Sequence, residues 1–270
     1  MPFHNEIKSI AIGSFDGIHR GHRALVDQAD ALVIIERNSG YLTPGYKRSL
    51  FTSKICCFYH FDKIKSLTPE AFIHMLKSDF PALEMIVVGY DFHFGKGKAG
   101  NAQMLQEICD RRIVIIDQVC HNGIPVHSRT IKTLLREGKI SLANDLLGRR
   151  HTIEGEVISG QGLGKKELVP TVNLLVKEYQ LPVEGVYVTR TCIDDTWYDS
   201  VSFLGHRVTT DDSYAVETHI LDKDIGKVEG RVVLEFVEFI RINQKFDSLD
   251  ELKTQIQSDI ATAKKLISLT

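Results

Sequence analysis

The chain has no Cys-x-x-Cys pair: its five cysteines, Cys56, Cys57, Cys109, Cys120 and Cys192, lack any metal-ligand spacing. That excludes the common zinc frameworks, and an odd count without a framework predicts free thiols in a reducing cytoplasm. No apolar run approaches the length of a membrane span. His4, Asn5, Glu6 and Lys8 precede the first apolar run, which argues against a secretory leader. Neither sign of charge dominates, and a formal net charge of -2 gives no electrostatic case for a nucleic-acid partner. Internal repeats and low-complexity segments are absent, and so is the Gly-Lys-Ser/Thr phosphate loop of the common NTPases. What remains is a chain of 270 residues, 43% hydrophobic and 25% charged, which fits a soluble globular protein of one large domain or two ordinary ones.

The stretch with most chemical content is IAIGSFDGIHRGH, Ile10 to His22. A short apolar run reaches Gly13, a turn follows at Phe15-Asp16-Gly17, and a helical pattern opens around His19, Gly21 and His22. A strand, a glycine-bearing turn and a helix start form the geometry that cradles phosphates. Two histidines three apart can face one way and donate to phosphate oxygens. A His-x-x-His pair alone is most often structural; the strand, the turn and the intervening glycine tip it toward a nucleotide. The pattern resembles the signature of the nucleotidylyltransferases.

The first half continues as alternating strands and helices. Ala31 to Ile35, Cys56 to Phe61, Met85 to Val88 and Ile113 to Ile116 read as strands, and His22 to Ala29, Pro69 to Lys77 and Asn101 to Cys109 as helices. This predicts a parallel, doubly wound sheet, whose ligands lie beyond the carboxyl ends of the strands, near Gly13 and Gly89. VGYDFHFGKGKAGN, Val88 to Asn101, reads by itself as a solvated loop; its place after a strand, with Asp91, Phe92 and Phe94, turns it toward a ligand. Ser128 to Glu137 is a short helix with Ser128 as its expected N-cap. Its Arg129 and Lys132 suit either an anion or an ordinary surface. At Gly148 the pattern changes to short alternating runs with glycine punctuation, predicting a small antiparallel barrel and a domain boundary near Leu147 to His151. Ser248-Leu249-Asp250-Glu251 is a capping box that opens a last amphipathic helix.

Together these motifs resemble the bacterial bifunctional riboflavin kinase/FAD synthetase family over nearly the whole chain. The opening stretch matches that family's Gly-x-Phe-Asp-Gly-x-His-x-Gly-His signature, and Val88 to Gly95 its Val-Gly-x-Asp-Phe-Arg-Phe-Gly loop with His93 for arginine. SRTIKTLL resembles its Ser-Ser-Thr-x-Ile-Arg segment, with Arg129 for threonine and Lys132 for arginine. In the second half Gly155, Val157, Gly160, Gly164, Pro170, Thr171, Asn173 and Leu174 match the kinase's nucleotide segment. Lys165 stands there for arginine, and Glu167-Leu168-Val169 depart from the usual Leu-Gly-Phe. LPVEGVY, the segment around Arg207, Val216 to His219 and the run FIRINQKFDSLDELKTQI match further kinase segments.

The resemblance implies an α/β Rossmann-like nucleotidylyltransferase domain over residues 1–148 and a small antiparallel β-barrel riboflavin kinase domain, with a C-terminal helix, over 149–270. It implies a cytoplasmic enzyme acting on riboflavin, FMN and ATP with Mg²⁺, and no nucleic-acid or membrane partner. In the kinase half Glu217 is the implied base, although a Glu-x-His strand pair is also an ordinary exposed face. Thr171 and Asn173 are the implied metal ligands; without the family they read as caps of a turn after Pro170. Gly160, Gly164, Lys165 and Arg207 are implied around ATP and flavin. In the first half His19 and His22 are implied in catalysis, with Gly13, Phe15, Asp16, Gly17 and Gly21 around the nucleotide. Asp91, Phe92, Arg129 and Lys132 complete that set. Two other readings stand beside it: one live activity of the two, or a flavin- or nucleotide-binding regulator without turnover.

Overall fold

The computed structural model describes residues 6–37, 41–159, 169–207 and 214–268. It forms two compact units, residues 1–128 and 129–270.

The strands of the first unit begin with β1 (Ser9–Gly13), β2 (Ala31–Glu36), β3 (Ile55–His60) and β4 (Met85–Gly89). A short pair β5 (His93–Phe94) and β6 (Gly100–Asn101), then β7 (Arg112–Ile116) and a second pair, β8 (Cys120–His121) and β9 (Ile124–Pro125), complete them. The connecting helices are α1 (Arg20–Val26), α2 (Phe61–Ile64), α3 (Pro69–Asp79) and α4 (Ala102–Ile108). The main sheet is parallel, in the order β3-β2-β1-β4-β7. Its apolar runs are continuous because both faces are covered. Ile10, Ile12, Val33, Ile86 and Val88 pack with Phe72, Leu76 and Leu105. Ala11, Leu32, Ile34 and Val87 face the other way, against Phe15, Ile18, Leu25 and Val26. From β1 the chain builds outward through β2 and β3, then returns to the other side of β1 for β4 and β7. Strand order therefore reverses between β1 and β4, and the crevice at their carboxyl ends is where such a sheet takes a ligand. The caps are local: Thr68 Oγ1 accepts from Ala71 N at 3.2 Å with Pro69 at the first helical position, and Asn101 Oδ1 accepts from Met104 N at 2.8 Å.

The second unit opens with α5 (Ser128–Arg136), which begins at the division, and α6 (Ile140–Leu147). Six strands follow: β10 (His151–Ile158), β11 (Val172–Val176), β12 (Gly185–Ile193), β13 (Thr196–His206), β14 (Tyr214–Ile220) and β15 (Arg231–Ile242). They close into a barrel, β10-β11-β14-β13-β12-β15, in which every neighbour is antiparallel. Helix α7 (Leu249–Ile267) lays Ala263 and Ile260 on Val186, Val188 and Val201. It is docked by a two-pronged pair: Arg241 Nε and Nη2 donate to the buried Asp259 carboxylate at 2.9 and 2.8 Å. Ser248 caps α7 as expected, accepting from Glu251 N, while Glu251 Oε2 accepts from Asp247 N instead of completing the box at Ser248.

The barrel interior is partly polar. Thr189, Thr191, Ser200, Ser202 and Thr218 are fully buried and joined in a closed circuit of hydroxyl contacts, 189–200–191–218–202–189, at 2.7–3.0 Å. Five hydroxyls have five protons to donate, so a closed ring satisfies each of them without water. Thr218 points inward, and the period of two then turns Glu217 and His219 outward.

The sequence places the change of pattern at Gly148, but compactness divides the chain at Ser128/Arg129. Helices α5 and α6 are the reason. Leu135 O accepts from Val183 N, Asn144 Nδ2 donates to Phe236 O, Asn144 Oδ1 accepts from His151 N, and Ser141 Oγ bonds Glu238. Leu134, Leu135, Ile140, Ala143, Leu146 and Leu147 are all buried. A fragment of residues 129–270 is expected to melt cooperatively in circular dichroism, while 149–270, lacking both helices, should melt lower or precipitate. Equal melting of the two fragments would show that the helices contribute nothing to the barrel.

His151 adds a pH dependence. Its ring is buried against Phe236 and faces Gln180 O at 3.1 Å. Burial pushes its pKa from the ordinary 6.5 down to about 4; the Gln180 carbonyl opposes the shift and the Arg149 charge adds to it. Between those values the unfolded chain binds a proton that the native imidazole refuses. Stability at this site is therefore complete above pH 6.5 and falls as pH drops toward 4. The loss is on the order of 3 kcal/mol. Urea unfolding at pH 7.5 and 4.5 should show His151→Gln losing less stability than the wild type by roughly that amount. Parallel pH profiles would refute the assignment.

Candidate active sites

In the first unit β1 delivers Gly13 to the crevice, and the turn after it is strained. Phe15 and Ile18 have φ of 47° and 40°, values that cost a non-glycine residue energy, while Gly17 takes φ 92° freely. Both strained side chains are fully buried, and that burial holds the turn. Asp16 is buried as well: its Oδ1 accepts from Thr43 N at 3.1 Å, and its carbonyl accepts from Ser128 Oγ at 2.8 Å. Ser128 is thus the first residue of α5, tied to the turn, and not the cap that its sequence position predicts.

His19 takes the N-cap of α1, its Nδ1 accepting from His22 N at 3.2 Å. With Nδ1 so engaged, a neutral His19 carries its proton on Nε2. The two imidazoles stack with centroids 3.6 Å apart, and His22 meets the edge of Phe15. His19 is 3% exposed; His22 is the more accessible of the two. Gly21 is required by a distant segment, since a Cβ there would stand 2.8 Å from Val126 O. The chain before α5 therefore presses directly on the start of α1.

The loop after β4 folds back over the strand end, where a Cβ on Gly89 would lie 3.2 Å from Asp91 Oδ1. Asp91 is exposed. Phe92 is not at the ligand edge: it is buried and stacks on Phe94, which packs on Phe72, so it anchors the loop from beneath. Arg129 is exposed and Lys132 half-buried in the first turn and a half of α5, one helical turn apart.

In the barrel the register sets Asn173 of β11 directly opposite Glu217 of β14. Arg207, just past β13, spans the two. Its Nε donates to Glu217 Oε1 at 2.7 Å, and its Nη2 lies 2.6 Å from the same oxygen and 2.8 Å from Asn173 Oδ1. The arginine is aimed by what precedes it. Gly205 leaves room for Glu184, which a Cβ would strike at 2.7 Å. Glu184 accepts from His206 N and meets the His206 ring. Burial pushes the Glu184 carboxyl up, and the bonds from His206 and Asn243 outweigh it, leaving the carboxyl below the usual range. On the Glu217 face of β14, His219 Nδ1 lies 2.8 Å from Pro170 O and so holds the turn that carries Thr171, which is half-buried. Gly160, Gly164 and Lys165 lie outside the described residues.

Two family models match consecutive stretches of the chain: FAD synthetase over residues 2–38 and 49–130, and riboflavin kinase over 147–267. The chain belongs to the bifunctional riboflavin kinase/FAD synthetase family. It is similar to the bifunctional riboflavin kinase/FMN adenylyltransferase of Pseudomonas fluorescens, 29% identical over 284 residues that cover 94% of this chain and 91% of the relative. The enzyme of that name from Escherichia coli K12 is 28% identical, covering 97% and 93%. That from Listeria monocytogenes is 28% identical, covering 93% and 90%. The crystal structure of a macrolide-efflux protein from Streptococcus pneumoniae superposes with a TM-score of 0.83 at 24% identity, covering 96% of this chain and 95% of that one; the likeness is one of fold.

Several members of these clusters escaped the sequence reading. Tyr90 and His127 flank the crevice and approach at 3.3 Å through Tyr90 Oη and His127 Nε2. Arg48 is fully buried, donates to Glu36 Oε1 at 3.0 Å and lies over the Tyr41 ring. It falls, with Thr43, in the stretch between the two segments matched by the FAD synthetase model. No periodicity marks these residues. His127 and Tyr90 could have been flagged only as neighbours of matched motifs.

Proposed function

We propose that this family member phosphorylates riboflavin to FMN with ATP, using residues 149–270, and adenylylates FMN to FAD with release of pyrophosphate, using residues 1–148. The observation that carries the reading is that each matched half gathers its own predicted groups: His19 and His22 at the strand-order reversal, and Glu217 and Asn173 across one strand pair.

In the kinase step Glu217 takes the proton of the riboflavin 5′-hydroxyl as it attacks the γ-phosphorus of ATP, and the bond from that phosphorus to the β,γ-bridging oxygen breaks to release ADP. The residues present fit a magnesium ion. Asn173 Oδ1 and the Glu217 carboxylate are hard oxygen donors that already hold a cation, the Arg207 guanidinium. Among the described residues no three His, Cys, Asp or Glu side chains converge, but a metal that arrives on phosphates needs only one or two protein ligands. Asn173 and Thr171 would hold it, and it would neutralise charge on the transferred phosphoryl group. Gly160, Gly164, Lys165 and Arg207 would contact ATP and flavin.

In the adenylyl step the FMN phosphate attacks the α-phosphorus. The nucleophile is already an anion, so the site's task is alignment and charge stabilisation. His22 and His19 would donate to phosphate oxygens, with Gly13, Phe15, Asp16, Gly17 and Gly21 shaping the cradle and Asp91 at its rim. Arg129 and Lys132 would supply positive charge, although lysine does not reproduce arginine's two-pronged grip.

The test is direct. Purified full-length protein incubated with riboflavin and Mg-ATP should yield FMN and then FAD, separated by chromatography, with pyrophosphate released in step with FAD. FMN alone would leave one live activity. Neither product, with flavin binding retained, would favour a regulator.

A further inference from the structure

The contact between Arg207 and the two oxygens beside it goes beyond a binding role, and its meaning rests on the kinase reading above. Asn173 Oδ1 and Glu217 Oε1 are the oxygens that a metal ligand and a proton acceptor would use. Both are engaged by one guanidinium: Nε and Nη2 on Glu217 Oε1 at 2.7 and 2.6 Å, Nη2 on Asn173 Oδ1 at 2.8 Å. The side chains are 19% and 23% exposed, so the pair is sheltered enough for its charges to be felt. Glu184 and Asn243 fix the backbone just before Arg207: Asn243 Nδ2 donates to His206 O at 2.7 Å, and Glu184 accepts from His206 N at 3.1 Å. The arginine is thus presented from a braced strand end.

We infer that Arg207 is a resident counter-cation of the phosphoryl-transfer site, holding the divalent cation's place on Asn173 and covering the Glu217 oxygen until a metal-nucleotide displaces it. A guanidinium and a divalent cation cannot share one amide oxygen at contact distance without strong repulsion in a sheltered site. Arrival of the metal therefore expels the arginine from Asn173 Oδ1 and frees a lone pair of Glu217 Oε1 for the riboflavin hydroxyl. The displaced guanidinium keeps its charge and its fork of donors, and phosphate oxygens are the acceptors it suits. One exchange then links metal-nucleotide binding to release of the base.

The experiment counts Mn²⁺ binding to nucleotide-free, full-length protein by electron paramagnetic resonance. Arg207→Met should bind one Mn²⁺ about tenfold or more tightly than the wild type, since a competing charge is gone. The gain should vanish in Arg207→Met/Asn173→Ala. Equal or weaker binding in Arg207→Met than in the wild type overturns the inference while leaving the kinase reading to the product assay. No Asn173-dependent binding in any of the proteins, with ADP added as well as without it, overturns the metal assignment and the inference together. If Arg207→Met does not fold, the wild type still decides. Its Arg207 Nε–H resonance, assigned by its loss in Arg207→Lys, should shift and begin to exchange rapidly when Mg-ADP is added. A resonance that stays unmoved while Mg-ADP is bound overturns the displacement.

Discussion

Glu217→Ala is expected to abolish riboflavin phosphorylation while leaving the conversion of supplied FMN to FAD intact. A positioned general base contributes roughly a hundredfold to ten-thousandfold, so FMN formation should fall by about that factor. The substitution also strips Arg207 of its carboxylate partner while Asn173 Oδ1 remains, and losing a charge-assisted hydrogen bond costs roughly 1–3 kcal/mol of stability. Glu217→Gln separates the two effects. It keeps an oxygen for Arg207 to bond and removes only the basicity, so it should be as inactive as the alanine variant and melt closer to the wild type. Riboflavin phosphorylation at the wild-type rate by either variant would mean that the base lies elsewhere.

Arg129→Ala is expected to cost FAD synthesis and spare FMN formation. The expectation starts from Ser128, the last residue of the first unit, whose hydroxyl bonds the Asp16 carbonyl in the turn after β1. Arg129 is the next residue, and Lys132 follows one turn later. Losing a charge-assisted contact to the transferred group costs on the order of 2–4 kcal/mol in the transition state, by analogy with an oxyanion donor. That is roughly a hundredfold or more in rate. Arg129 is exposed, so its removal should leave the melting temperature unchanged, and a loss of FAD formation would be chemical in origin. Unchanged FAD formation would make Arg129 an ordinary surface residue.

The local parts of both sites could be read from the chain. The strand-turn-helix at Ile10 to His22, the cap at Thr68, the start of α7 at Ser248 and the two periodicities depend on residues a few positions apart. Side-chain alternation, turn chemistry and capping act over that range, so one sequence suffices to find them. Glu217 was legible as a candidate because Val216 to His219 resembles the family segment that holds the kinase's glutamate; strand alternation by itself adds only that His219 shares its face.

What the tertiary structure alone decided involves partners far apart in the chain. Ser128 bonds a carbonyl 112 residues away, so the hydroxyl predicted to cap a helix instead holds the turn after β1. Gly21 is needed because Val126 O comes within contact of where its Cβ would be. Phe92 turned inward because the aromatic stack of Phe94 and Phe72 buries it, which its flanking pattern does not express. Helix α6 joined the barrel because its apolar face finds β10 and β15, and α5 is held with it through Leu135 O, which accepts from Val183 N; the glycines that end the two helices do not express this. The pairing of Asn173 with Glu217 and the bridge from Arg207 arise from barrel closure, which sets strand register. Sequence by itself determined which side chains are chemically able to serve a site, because that is a property of the residue type. Only the fold decided which of them meet, because register and burial are settled by the whole core at once.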